Sequence, residues 1–176
     1  LAREAGDPAA ALALHAEEER LYAELGDHSG VATSLSNQAL ARYALGDPGA
    51  AAALLAKAEV IIRRLDIPAM LQVTLGNRAA FLLQAGDTAA AATALAEQEA
   101  ICRQTGNRVG LAACLGNQAL VAQQHGDVAA MATLLTEPSC AAEAEIAPLV
   151  AVRPPVPMVA VVSLWETRSA DTGGLA

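Results

Sequence analysis

Along residues 8–125 the apolar positions return every three or four residues, the spacing that places them on one face of an α-helix. Over 48–65, for example, Ala51, Leu54, Leu55, Ala58, Ile61, Ile62 and Leu65 form one stripe. The stretches end at short polar joints. Gly-Asp occurs at Gly6-Asp7, Gly46-Asp47, Gly86-Asp87 and Gly126-Asp127. Glycine can take the left-handed conformation that closes a helix, and the following Asp can cap the next one through its side-chain oxygen. Pro8 and Pro48 then stand at the first helical position, where the missing N–H costs nothing. The pattern predicts helices over 8–25, 48–65 and 88–105, termed B, and over 29–45, 69–85 and 108–125, termed A. Each is about 17 residues, or about 25 Å, long.

The Gly-Asp joints recur every 40 residues, and a second landmark keeps the same step. It reads Leu35-Ser36-Asn37-Gln38-Ala39, then Leu75-Gly76-Asn77-Arg78-Ala79, then Leu115-Gly116-Asn117-Gln118-Ala119. A third lies between units, at Gly26-Asp27, Asp66-Ile67 and Gly106-Asn107. A repeat of two helices cannot bury its apolar stripes alone, so neighbouring units must stack and share a continuous core.

The chain resembles the tetratricopeptide-repeat family in its long form of about 40 residues, rather than the usual roughly 34. It is similar to repeats of kinesin light chain, nephrocystin-like proteins and large bacterial signalling proteins. The resemblance covers residues 1–137. Leu35, Leu75 and Leu115 hold the family's first aromatic position, and Ala39, Ala79 and Ala119 its small packing position. Ala11, Ala51 and Ala91 match the alanine of helix B, with Leu55 and Leu95 in place of the following Phe. The position before the small residue is polar in every unit, at Gln38, Arg78 and Gln118, where the family pattern has leucine. What the resemblance implies is an all-α fold, a right-handed superhelix (α-solenoid) of antiparallel helix pairs with about three and a half repeats. It also implies a concave groove, lined by the A helices, that binds a protein or peptide.

The repeat is expected to fill residues 1–145. The first residues read as the end of a helix A, so the chain is expected to be a piece of a longer polypeptide. Pro138 should break the last helix B near Glu137, with a short helical stretch open to 141–146. Residues 146–176 form a separate, irregular tail in which Pro148, Pro154, Pro155 and Pro157 forbid regular helix. The apolar run 159–165 reads either as a strand or as a strip covering the last repeat, and 169–176 as disordered. It falls short of the roughly 20 apolar residues of a membrane span.

Composition agrees with closely packed helices: the hydrophobic fraction is 54%, but aromatics make up only 2%, and alanine is the commonest apolar residue. The net charge of −8, with no run of Lys or Arg, argues against nucleic acid as a partner. Arg63-Arg64 reads as a solvated helix end. Cys102, Cys114 and Cys140 show no metal-ligand or disulfide spacing, and their expected state is reduced and buried in a cytoplasmic protein. His15, His28 and His125 are not paired as ligands, and Glu17-Glu18-Glu19 reads as a solvated face. Neither a cofactor nor a catalytic site is expected.

Asn37, Asn77 and Asn117 fall at the same point of successive A helices, where an amide is unfavourable by propensity. Stacking would form a ladder about 10 Å apart. Each amide carries donors and an acceptor, and in similar long-form repeats such asparagines hold the backbone of a ligand. The alternative is that they bond to neighbouring helices and fix the stacking. Leu40, Tyr43, Leu83, Leu120 and Gln123 complete the candidate partner-binding set. Thr33, Ser36, Val73, Gly76, Ala80, Ala113 and Gly116 are expected beside them on a mostly apolar, uncharged floor. The function expected is a protein-interaction module. Its rivals are a sensor arm of a larger signalling protein, with a nucleotide-binding switch, protease or cyclase as effector, and a structural spacer.

Overall fold

The structure is a computed structural model that describes residues 7–135. The expected break at Pro138, the tail 146–176, the Gly6 joint and Cys140 lie outside the described residues. Seven helices run in order: α1 Pro8–Leu25, α2 His28–Ala44, α3 Pro48–Leu65, α4 Pro68–Ala85, α5 Thr88–Thr105, α6 Arg108–Gln124 and α7 Val128–Leu135. No strand occurs among the described residues. The three B helices α1, α3 and α5 have the predicted bounds; the A helices α4 and α6 differ from prediction by one residue at one end, and α2 by one residue at both.

The joints explain these bounds. The side-chain oxygens of Asp47 and Asp87 accept from the N–H of Ala50 and Ala90, at 2.9 and 3.0 Å. Asp27 accepts from Gly30 N–H at 2.9 Å, which starts α2 at His28, one residue before the predicted Ser29. Ile67 has no capping side chain, and Pro68 starts α4 instead. Five glycines close helices with positive φ, among them Gly86 at 85°. Asp66, at φ 52°, is the non-glycine residue in that conformation among the described residues.

Each helix packs most extensively on its neighbours in sequence, and α4 also touches α6. Pairs that close on each hairpin joint show that consecutive helices run in opposite directions. Ala58 and Ile62 pack near Ile67 and Leu71, while Leu55, further from the joint, reaches Phe81. The 40-residue period is repeated in the core: Leu35, Leu75 and Leu115 are buried, as are Ala51 with Ala91 and Leu55 with Leu95. Small alanines at 39, 79 and 119 let the helices approach.

A polar clasp also recurs in every hairpin. Gln38 Nε2 donates to Glu19 Oε2 at 2.6 Å, Arg78 Nη1 to Glu59 Oε2 at 2.7 Å, and Gln118 Nε2 to Glu99 Oε2 at 2.6 Å. The polar residue that departs from the family pattern thus ties helix A to helix B of the same hairpin. Glu19 is thereby half-buried, so the acidic run 17–19 is not wholly a solvated face; Glu17 and Glu18 are exposed. Arg63 likewise does more than end a helix, bridging Glu59 in its own helix at 2.9 Å and Glu97 of α5 at 2.6 Å. Nothing in α1–α6 qualifies as long and apolar enough to cross a membrane.

Candidate site, a carboxamide-lined cavity between α4, α5 and α6

Of the residues singled out from the sequence, the structure brings Asn77 and Asn117 together. They line a cavity of about 80 Å³ between α4 and α6. The α4 wall is Gln72, Val73, Gly76 and Asn77; the α6 wall is Val109, Gly110, Ala113 and Asn117. Gln98 enters from α5, and Asn107 from the joint that precedes α6. The wall carries five carboxamides and no charged side chain.

Asn77 is 7% exposed, while Asn37 and Asn117 are half-buried. None of the three side chains is hydrogen-bonded within the described residues. They make no amide bonds to neighbouring helices; the residues one position further on do, in the clasps within each hairpin. Asn37 lies outside the cavity. Leu40 and Tyr43 pack against the cluster of Ala39, Ala51, Leu55 and Phe81, and the Tyr43 ring stacks on Phe81 with centroids 4.6 Å apart. Leu83, 8% exposed, is built into the core with Leu75, Ala79, Leu95 and Cys114. Leu120 packs on the edge of the same cluster, and Gln123 is exposed. Val73, Gly76 and Ala113 of the expected floor do line the cavity. Thr33 and Ser36 instead donate to carbonyls of their own helix turn, Ser29 O and Ala32 O.

Sequence reasoning missed Gln98. It stands where the preceding B helix has Ala58, and it faces Gly76, which stands where the preceding A helix has Ser36. A Cβ on Gly76 would lie 2.6 Å from Gln98 Nε2, so a side chain there would push the Gln98 amide from its present position. Gln98 is 4% exposed, and its buried Oε1 has no hydrogen-bond partner. Two of the other amides are partly engaged: Gln72 Oε1 accepts from the Cys102 thiol at 2.9 Å, and Asn107 Oδ1 from Gly110 N–H at 2.9 Å.

Cys102 and Cys114 are core residues. The Cys114 thiol donates to Leu95 O at 3.2 Å, and burial pushes it up to about 12, with Cys102 and Glu99 adding to the shift. Burial raises Cys102 as well. Thiols held protonated in this way are poor nucleophiles. Among the described residues no group of His, Cys, Asp and Glu is placed to hold a metal ion. No protein-family model and no curated protein matches the chain.

Proposed function

We propose that this chain is a protein-interaction module that binds a segment of a partner protein along helices α2, α4 and α6, without catalysing a reaction. The array is a right-handed α-solenoid of the tetratricopeptide kind, and these A helices line its concave side. The observation that carries this reading is the pair Asn77 and Asn117, whose carboxamides stand in one uncharged cavity with no partner of their own. An amide left unpaired at a partly buried site is costly unless water or a ligand meets it. A peptide supplies the matching N–H and C=O groups. The net charge of −8 speaks against nucleic acid, and the free thiols of Cys102 and Cys114 accord with a reducing, cytoplasmic setting.

The test is selection of peptides from a displayed random library, followed by calorimetry with the best binder. Replacing both Asn77 and Asn117 by Ala is expected to weaken it by about 1–3 kcal/mol per lost pair. Failure to select any peptide, or binding unchanged in the double variant, would overturn the reading.

A further inference from the structure

We infer that the cavity between α4, α5 and α6 is a recognition pocket for a primary carboxamide, the side chain of an Asn or Gln in the bound segment. The inference deepens the proposed function and rests on it for the source of that group. It stands on Gln98, a buried carboxamide with neither end bonded within the described residues. Its amide occupies the space that a side chain on Gly76 would take.

A ligand that satisfies both ends of Gln98 must present a donor and an acceptor side by side. A primary carboxamide does so and pairs reciprocally, through two N–H···O bonds. A single trans peptide group cannot, because its N–H and C=O point in opposite directions; an extended residue offers its own N–H and C=O on one side, and a capped residue without the side-chain amide tells that case from this one. A hydroxyl reaches one end at a time. A carboxylate has no donor for Oε1 and meets no cation in the wall, and an ammonium would be desolvated with no carboxylate to face. An apolar side chain would leave Oε1 unpaired. The cavity of about 80 Å³ has room for more than one water-sized group. Asn77 and Asn117 remain to bond the oxygen of the entering amide or the backbone beside it.

The probe is glutamine capped as N-acetyl-glutamine-N-methylamide, titrated into the full chain and followed by the side-chain NH2 resonances of Gln98, Asn77 and Asn117. The same capped forms of Glu and Met are the controls. Saturable shifts are expected with capped glutamine, and binding at least about tenfold weaker with the controls, as when a buried acceptor goes unpaired. Gln98→Met, of similar volume, should abolish the preference while the helical circular dichroism stays unchanged. Should that variant not fold, Gln98→Glu keeps the shape, removes the donor and should also lose the preference. Equal binding of the three probes, or none, means that the cavity holds solvent only and overturns the inference. Library peptides that need Asn77 and Asn117 but show no enrichment of Asn or Gln would overturn the pocket and leave the module. Capped glutamine bound in the absence of any selectable peptide would do the reverse, and acetamide would then show whether a free amide suffices.

Discussion

At the scale of single residues, neighbouring positions on one helix turn do different work. Asn77 has no internal bond, so Asn77→Ala breaks none and should cost no more than about 0.5 kcal/mol of folding stability, measured by urea denaturation. A loss well above that would show an internal role. Gln118, one position beyond Asn117, holds Glu99. The bond from Gln118 first, and Arg103 beside it second, keep the Glu99 carboxyl below its ordinary range. The folded value therefore lies below the unfolded one. The charged form contributes stability that is present above pH about 4.3 and is lost as pH falls through the folded value. Glu99→Gln should accordingly lose less stability than the wild type between pH 7 and pH 3 in urea titrations; a parallel fall would refute the assignment. The asparagines were legible because they obey the period. Gln98 was not, because it breaks the period, and its role depends on what Gly76 lacks. Glu19, Glu59 and Glu99 also recur every 40 residues, but among other acidic side chains nothing in the sequence marks them as the bonded ones.

Between elements, what glycine does depends on where it stands. Gly86 closes α4 at φ 85°, where a side chain is strained whatever space surrounds it. Gly86→Ala should destabilise by about 1–2 kcal/mol. Gly116 is inside α6, and a Cβ there would meet nothing within 4 Å. Gly116→Ala should stabilise by about 0.5–1 kcal/mol, the ordinary gain in helix propensity. Thermal melts of the two variants check the signs, and a shift in the same direction for both would contradict this account. The helices were legible from periodicity and from the Gly-Asp joints, because cap chemistry is local. Leu83 was misplaced on the groove floor for the opposite reason: whether a periodic leucine faces core or groove is decided by the neighbouring helix, and here Leu95 and Ala91 of α5 enclose it.

Across the whole molecule, burial is uneven. Helix α1 has no buried residue and leaves Leu14 67% and Leu25 79% exposed, whereas α4 buries residues along its length, from Gln72 to Leu83. Amide hydrogen exchange should be slowest in α4 and α5 and fastest in α1; slowest exchange in α1 would refute that ranking. The stacking of hairpins was legible because a constant period leaves few other ways to bury the stripes. Each clasp closes between residues of one hairpin, and Gly46 and Gly86 are equivalent joints. Excision of residues 47–86 would therefore join Gly46 to Asp87 and keep the clasps Glu19–Gln38 and Glu99–Gln118 intact. It would set Gln98 against Ser36 in place of Gly76. Duplication or loss of a whole unit can thus change the length of such an array without disturbing how it folds, while the Gln98–Gly76 match belongs to a single junction. In a lineage of these proteins, reach and selectivity would be inherited separately, the first by recombination and the second by point substitution at a single junction.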